Sequence, residues 1–336
     1  MLTVLEPEGL YPDTALEEEI FGGGLRLVRG GGEAGLAGLP DALCAEAEGL
    51  FIFRNWLRAE DLPRFPKLRA VVRMGVGYDR LDRAALAARG VVVCNVPDYG
   101  TTEVADHAVA LVLALRRGIT LHHDLQRANP PAAWTQVETP LVQRLEEQNF
   151  GIIGLGRIGT AVALRAKAFG FRVGFYDPHL PNGVDRALGI ERFRSLDALL
   201  ARTDTLSIHA PLTRGTTGLL DEAALRRLRP GAVVVNTARG PIIDLDALER
   251  CLRDGHLAGA GLDVLPVEPP SNAPIPPLLQ AYREHAPWLC GRLIVTPHSA
   301  FHTPSAFADI RRKSAETMQE VLVGGFSANQ IAPDSE

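Results

Sequence analysis

Hydrophobic and polar positions alternate along the chain in two successive sets. The first set contains the apolar runs TVLEP, LRLV, GLFIF, LRAVVRMG and VVVCNVP, and the second contains NFGIIGLG, RVGFYD, TLSIHAP, AVVVNTARG, AGAGLDV and RLIVTPH. Short apolar runs separated by amphipathic stretches are typical of strand–helix–strand units around a parallel sheet. The pattern predicts an α/β protein, with a doubly wound sheet for the second set.

Three further segments have clear interpretations. The stretch TTEVADHAVALVLALRRG predicts a long apolar helix that Thr101 or Thr102 caps and Gly118 ends, with His107 as a satisfied buried or interface histidine. The proline-rich segment 269–287 predicts a surface loop with one short helix. The stretch TPSAFADIRRKSAETMQEVLVGG predicts an amphipathic C-terminal helix.

Composition narrows the class of protein. A length of 336 residues favours two domains, and a net charge of -5 without blocks of like charge argues against nucleic acid or an anionic membrane as partner. No apolar run is long enough to span a bilayer, and the N-terminus lacks the features of a signal peptide. Four scattered cysteines without a C-x-x-C motif favour the cytoplasm. No histidine stands in a metal-site pattern, so we expect no metal.

A glycine pattern follows the first run of the second set. Gly154, Gly156 and Gly159 form G-x-G-x-x-G between an apolar run and an alanine-rich helix, as a loop that binds a dinucleotide pyrophosphate requires. Asp177 ends the next run, where a carboxylate accepts hydrogen bonds from ribose hydroxyls and repels a 2′-phosphate. The sequence therefore favours NAD(H) over NADP(H), with a solvated strand-end carboxylate as the alternative interpretation of Asp177.

Three polar side chains follow later runs of the second set. Arg239, Glu268 and His298 fall at or shortly after predicted strand ends, where open α/β sheets bind ligands. A histidine can exchange a proton with a carbinol oxygen, a carboxylate can orient its ring, and an arginine can grip a substrate carboxylate. Taken singly, each could equally be an ordinary surface or loop residue. Together they suit hydride transfer at a carbinol carbon.

The motifs GIIGLGRIG with Asp177, NTARG, GLDVLPVEP and TPHSA resemble, in this order, the D-isomer-specific 2-hydroxyacid dehydrogenase family. GVGYD at 75–79 and the TTEVADHAVAL helix extend the resemblance over nearly the whole chain, and VALRAKAFGFRVGFYDPHL is similar to the branch containing the C-terminal-binding proteins. The resemblance implies two Rossmann-like domains. A flavodoxin-like substrate domain comprises 1–98 and 300–336, an inserted NAD-binding domain comprises 99–299, and the protein is a homodimer.

The same resemblance implies residue roles. Arg239, Glu268 and His298 are the catalytic residues, while Val76, Gly77, Arg239 and Phe301 contact substrate. The residues that contact NAD(H) are Thr102, Gly154, Gly156, Arg157, Ile158, Gly159, Asp177, Ala210, Pro211, Thr216, Thr237, Ala238 and Asp263. Phe301 stands where the C-terminal-binding proteins have a tryptophan, so this position gives no support for their substrate preference.

The expected activity is interconversion of a 2-oxo acid and a D-2-hydroxy acid with NAD(H). One alternative is an NAD(H)-sensing, corepressor-like binding protein with little turnover. The retained Arg–Glu–His set argues against it. Another is formate- or phosphite-type chemistry on the same fold, and Glu268 argues against the formate version, which is associated with glutamine at that position.

Overall fold

The computed structural model describes residues 1–30 and 32–333. The chain divides into two compact units. The first unit comprises residues 1–99 and the C-terminal segment from residue 303, and the second comprises residues 100–302. The first unit is therefore built from both ends of the chain, and the second is one continuous insertion.

The first unit contains a parallel sheet. Its strands are β1 (Leu2–Glu6), β2 (Leu25–Arg29), β3 (Ala47–Ile52), β4 (Ala70–Arg73) and β5 (Val92–Asn95), in the order β2-β1-β3-β4-β5. Its helices are α1 (Ala15–Phe21), α2 (Asp41–Glu46), α3 (Arg83–Ala88) and α12 (Pro304–Leu322), with 3-10 turns at Gly32–Gly38 and Ala59–Arg64. This strand order is that of flavodoxin-like sheets.

A buried ion pair fastens α12 to the start of the chain. The Arg311 guanidinium donates from Nε to Glu17 Oε1 at 2.7 Å and from Nη2 to Glu17 Oε2 at 2.6 Å. The Glu17 side chain is 5% exposed and that of Arg311 is 13% exposed. A bidentate bond between a guanidinium and a carboxylate fixes the orientation of both groups. The ion pair therefore fixes the position of α12 relative to α1.

The second unit contains a larger parallel sheet. Its strands are β6 (Asn149–Ile153), β7 (Arg172–Tyr176), β8 (Glu191–Arg192), β9 (Thr205–Ile208), β10 (Ala232–Asn236), β11 (Leu257–Leu262) and β12 (Leu293–Val295), in the order β12-β11-β10-β9-β6-β7-β8. Its helices are α4 (Thr101–Arg116), α5 (Ile119–Arg127), α6 (Arg157–Ala168), α7 (Val184–Leu188), α8 (Leu196–Leu200), α9 (Glu222–Arg227), α10 (Leu245–Arg253) and α11 (Pro277–Arg283). Short 3-10 turns lie at Leu145–Glu147, Gly240–Ile242, Pro270–Asn272 and Pro287–Leu289.

Helices cover both faces of this sheet, which explains the apolar runs in the sequence. Every residue of β10 and of β11 is buried, because strands of a parallel sheet pack against helices on each side. One apolar cluster joins the sheet to α8, α9 and α10, and another joins it to α4 and α6. The predicted α/β class with two doubly wound parallel sheets is confirmed.

The structure corrects one local prediction and adds one strand. Helix α4 begins after Gly100, with no side-chain cap, and Thr102 Oγ1 instead donates to the neighbouring Glu103 carboxylate. The two-residue strand β8 is too short and too polar for a sequence pattern to predict. The short helix expected in the proline-rich segment is α11, and the expected C-terminal helix is α12.

Among the described residues, no helix has the length and apolarity needed to cross a bilayer. Over the same residues, no three His, Cys, Asp or Glu side chains are grouped as a metal would require. All four cysteines are free thiols.

Candidate active site

The glycine loop joins β6 to α6. Gly154 adopts φ +84°, a conformation that favours glycine, and a Cβ there would lie 2.6 Å from the backbone N of Ala210. A Cβ on Gly159 would lie 2.1 Å from the Gly154 carbonyl oxygen, so this glycine lets the helix approach the loop. A Cβ on Gly156 would meet no described atom within 4 Å. The loop is thus tightly packed at Gly154 and Gly159 but open at Gly156, at the N-terminus of α6.

This open loop fits a dinucleotide pyrophosphate. The first turn of α6 presents backbone N–H groups and the positive end of the helix dipole there, while Arg157 is exposed and Ile158 half-buried in that turn. Ala210 and Pro211 follow β9 after His209, and Thr216 Oγ1 donates to the Pro211 carbonyl at 2.7 Å. At the end of β10, the buried Thr237 hydroxyl finds no hydrogen-bond partner among the described residues. An unpaired buried hydroxyl at a strand end is consistent with a polar ligand there.

Asp177 follows β7 and closes the loop from the side. Its Oδ2 accepts a hydrogen bond from the Leu155 N–H at 2.9 Å, and its Oδ1 accepts one from the His179 N–H at 3.0 Å. An arginine distant in sequence lies beside it. Arg192 donates to the carbonyl oxygens of Asp177, Leu180 and Pro181 at 2.7 to 3.1 Å. The sequence neighbours of Asp177 gave no sign of this cation, because β8 brings it there.

A half-buried histidine lies at the end of the strand beside the loop. His209 follows β9, and its Nε2 lies 2.8 Å from the hydroxyl of the fully buried Ser207. Protein surrounds the imidazole, although the residue keeps part of its surface exposed. This burial lowers the pKa of His209 to about 3, so the ring is neutral at physiological pH.

Arg239 follows β10 in a turn that packs against the turn after β11. Asn236 fixes the first of these turns, accepting the Ala238 N–H at 3.0 Å and donating to the Arg239 carbonyl at 2.9 Å. A Cβ on Gly240 would lie 1.9 Å from the carbonyl carbon of Leu265. Glycine after Arg239 is therefore required for the two turns to meet.

Glu268 and His298 form the central pair of the site. His298 Nδ1 lies 2.6 Å from Glu268 Oε2, and Glu268 Oε1 accepts the Leu265 N–H at 2.9 Å. Both side chains are partly buried: that of His298 is 35% exposed and that of Glu268 is 22% exposed. Because the carboxylate takes Nδ1, the Nε2 of the ring is the nitrogen that can exchange a proton.

Asp263 anchors the segment that carries His298. It is 2% exposed. Its Oδ1 accepts hydrogen bonds from the Thr296 hydroxyl at 2.6 Å and from the Ser299 N–H at 2.9 Å. Its Oδ2 accepts one from the Ala300 N–H at 3.0 Å. The sequence resemblance placed Asp263 among the residues that contact NAD(H). In the structure, both of its carboxylate oxygens hold the 296–300 segment.

The remaining candidates lie on both units. Phe301 stacks edge-on against the His298 ring, with the ring centroids 6.4 Å apart. Thr102 is exposed in the first turn of α4. Val76 and Gly77 belong to the first unit, in the turn after β4, where the Val76 carbonyl accepts the Asn95 side-chain amide at 2.7 Å. The structure thus brings Arg239, Glu268 and His298 to adjacent strand ends of one sheet.

A glycine loop, an acidic residue after β7 and a paired histidine at the carboxyl edge of a parallel sheet define a dinucleotide-binding α/β protein. Comparison with known proteins narrows this class. Residues 109–300 match the family model described as "D-isomer specific 2-hydroxyacid dehydrogenase, NAD binding domain". The chain belongs to this family, and its second unit contains an NAD-binding domain for NAD(H).

Individual relatives agree with that assignment. The D-3-phosphoglycerate dehydrogenase of Mycobacterium leprae is 37% identical over 294 residues, which cover 87% of this chain and 52% of that protein. The chain therefore spans about half the length of that curated relative. The D-lactate dehydrogenase of Aquifex aeolicus, complexed with NAD and lactic acid, aligns with a TM-score of 0.83 and 26% identity over 98% of this chain and 99% of that one.

A third similar structure uses the other nicotinamide cofactor. The NADPH-dependent glyoxylate/hydroxypyruvate reductase of Sinorhizobium meliloti, in complex with NADP and malonate, aligns with a TM-score of 0.83 and 28% identity over 99% of this chain and 97% of that one. Relatives with this fold thus differ in substrate and in cofactor.

Proposed function

We propose that the protein is an NAD-dependent dehydrogenase that interconverts a 2-oxo acid and a D-2-hydroxy acid. The observation that carries the proposal is the 2.6 Å bond between His298 Nδ1 and Glu268 Oε2. The pair follows β11 and β12 of the same parallel sheet whose β6 leads into the glycine loop. An oriented histidine at the ligand-binding edge is what proton exchange with a carbinol oxygen requires. The retained carboxylate also favours turnover over a purely cofactor-sensing role.

Each side chain has a distinct task in the proposed reaction. During reduction, the His298 imidazolium donates the Nε2 proton to the carbonyl oxygen, and in the reverse direction neutral His298 accepts it. Glu268 holds Nδ1 and stabilises the charged ring. Arg239 binds the substrate carboxylate and polarises the carbonyl. A bound nicotinamide would supply or accept the hydride.

The cofactor is proposed to be held by the residues around the glycine loop. The backbone N–H groups of Gly156, Arg157 and Ile158 would bind the pyrophosphate, and Asp177 would accept hydrogen bonds from the adenosine ribose. Thr102, Ala210, Pro211, Thr216, Thr237, Ala238 and Asp263 complete the set. Arg192 donates three hydrogen bonds to backbone carbonyls, and the Asp177 carboxylate would repel a 2′-phosphate. We therefore propose NAD(H) as the preferred form.

Substrate choice is proposed to depend on Phe301 and on the turn at Val76 and Gly77. The Phe301 ring contacts His298 edge-on and offers an apolar wall without an indole N–H. The motif VALRAKAFGFRVGFYDPHL supports a position close to the branch containing the C-terminal-binding proteins. A small apolar 2-oxo acid side chain suits the wall that Phe301 forms.

The protein is further proposed to act as a homodimer in the cytoplasm. The second unit exposes large apolar side chains that a partner copy would cover, namely Ile119, Trp134, Val137, Leu164 and Phe169. Trp134 is 92% exposed, and exposed aromatic groups are typical interface anchors. Light scattering on the parent and on Trp134→Ala tests this proposal. A dimer weakened by the substitution supports it, and a parent that is monomeric at micromolar concentration contradicts it.

A panel of 2-oxo acids, each tested with NADH and with NADPH, tests the proposed activity. We expect saturable oxidation of NADH with at least one substrate and a product of D configuration by chiral chromatography. Absence of turnover above background with every substrate and both cofactors contradicts the proposal.

A further inference from the structure

A hydrogen-bond chain links helix α4 to the segment that carries His298. His107 on α4 places Nε2 at 3.0 Å from the Thr296 hydroxyl, and that hydroxyl lies 2.6 Å from Asp263 Oδ1. His107 Nε2 itself is 3.8 Å from the same carboxylate oxygen. His107 and Thr296 are 189 positions apart in the sequence. Only the folding of the second unit brings these hydrogen-bonded groups together.

The proton positions in this chain follow from donor and acceptor capacity. A carboxylate accepts hydrogen bonds, and a threonine hydroxyl has one proton to donate. The short 2.6 Å bond assigns the Thr296 proton to Asp263. The Thr296 oxygen must then accept from His107, so the proton of His107 is on Nε2. His107 therefore fixes the rotation of the Thr296 hydroxyl.

Asp263 transmits this constraint to the catalytic segment. Its oxygens accept the N–H groups of Ser299 and Ala300, directly after His298. His298 itself has φ +52°, a left-handed conformation that is unfavourable for a non-glycine residue. Its own N–H donates to the Asp263 carbonyl at 2.8 Å. A residue in a strained conformation keeps it only when many surrounding contacts hold it there. Asp263 provides three such hydrogen bonds, to the N–H groups of His298, Ser299 and Ala300.

We infer that His107 is a positioning residue that, through Thr296 and Asp263, holds His298 in its left-handed conformation for proton exchange. The inference rests on the proposed function. The effect of His107 on the catalytic side chains passes through the Thr296 hydroxyl and the Asp263 carboxylate. An apolar residue at 107 frees the Thr296 hydroxyl to rotate, and Asp263 then holds the 296–300 segment less firmly.

Matched variants separate the hydrogen bond from the packing. His107→Gln keeps an N–H donor near the Nε2 position, and His107→Met fills similar space without one. We expect His107→Met to lower kcat about 10-fold, with KM for NADH and for the 2-oxo acid changed less than about threefold, since misplacement of a catalytic group affects turnover more than binding. His107→Gln should recover most of the loss. Thr296→Val and Thr296→Ser form a second pair with the same expected contrast.

Hydrogen exchange of the protein without substrate gives a readout that does not depend on turnover. The amides of Ser299 and Ala300 should exchange at least about fivefold faster in His107→Met and at the parent rate in His107→Gln, because local opening controls exchange. The amides of Val234 and Val235 in β10 serve as the internal control and should be unchanged.

The outcomes are distinguishable. A parent with no turnover on any 2-oxo acid contradicts the proposed function, and the exchange data then still decide the role of His107. An active parent with unchanged kcat and unchanged exchange in both His107→Met and Thr296→Val overturns the inference alone. Equal losses in the Gln and Met variants also overturn it, because they would show that packing rather than the donor matters.

Discussion

Glu268 and His298 come from loops thirty positions apart and meet at 2.6 Å between Oε2 and Nδ1. The bond depends on two backbone contacts, the Leu265 N–H that holds the other glutamate oxygen and the Asp263 carbonyl that receives the His298 N–H. The pair is therefore set by the second unit before any substrate arrives, which is the preorganisation that proton transfer requires.

Replacing Glu268 with glutamine should impair catalysis more than binding. The amide can donate to Nδ1, which favours the wrong tautomer of His298, and it no longer stabilises the charged ring. We expect kcat to fall at least about 10-fold while the Kd for NADH, measured by fluorescence titration, stays within about twofold. Glu268→Asp keeps the charge but shortens the side chain. It therefore tests whether the position of the carboxylate matters in addition to its charge. Full activity in Glu268→Gln would remove this residue from the mechanism.

Substitutions at Asp177 should change the cofactor preference. Asp177→Asn keeps an acceptor for the Leu155 N–H but removes the charge that repels a 2′-phosphate. The ratio of kcat/KM for NADPH to that for NADH should rise about 10-fold or more, since a charged hydrogen bond contributes about 1.5–3 kcal/mol. Asp177→Ala should also raise this ratio, and its kcat/KM for NADH should fall further than that of Asp177→Asn. An unchanged ratio in both variants would show that Asp177 does not discriminate.

Arg116 should be a major contributor to stability in the second unit. It is 1% exposed, and its guanidinium donates to Thr205 Oγ1 and to the carbonyl oxygens of Pro140, Asp204 and Gly231. Burial lowers the pKa of Arg116 to about 10, yet the group stays charged at neutral pH. Arg116→Met leaves several buried acceptors unpaired and should lower the free energy of unfolding by about 2–4 kcal/mol in urea.

Arg117 provides the matched control for that experiment. It is the next residue in the chain and is exposed. Arg117→Met should change the free energy of unfolding by less than about 0.5 kcal/mol. Equal effects of the two substitutions would show that the buried hydrogen bonds of Arg116 contribute little.

His209 should make the protein less stable in acid. Its pKa falls from about 6.5 in the unfolded chain to about 3 in the folded protein. The unfolded state therefore binds the proton first, and the stability present above pH 6.5 is lost as the pH falls toward 3. The slope of this loss is at most about 1.4 kcal/mol per pH unit.

Unfolding by urea between pH 4.5 and 7.5 measures this contribution. His209→Gln should be less stable than the parent at pH 7.5 but should lose less stability on acidification. His123→Gln replaces an exposed histidine and should keep the parent slope. If His209→Gln has the same slope as the parent, acid instability arises elsewhere.

Much of the fold could be predicted because the sheets are parallel and covered on both faces. Such strands are buried throughout and appear as apolar runs, as β10 does in AVVVN. The positions of the glycine loop, Arg239 and His298 at strand ends could be predicted for the same reason, since each follows a recognisable strand. Strand β8 was missed because it has two polar residues and no apolar run.

Contacts between distant segments could not be predicted from spacing. Nothing around Asp177 in sequence indicates Arg192, which arrives through β8, and nothing around His298 indicates His107. The left-handed conformation of His298 is likewise invisible in TPHSA, because a histidine there gives no conformational signal. A glycine would have given one, as Gly154 did.

The proposed mechanism depends most directly on His298 as the proton-transferring group. With the best 2-oxo acid from the panel, stopped-flow measurement of NADH oxidation in the parent and in His298→Ala should give a turnover at least about 10²-fold lower in the variant, with NADH affinity within about twofold. His302→Ala is the control and should retain most of the activity. A His298→Ala variant that turns over within about threefold of the parent would contradict the proposed mechanism.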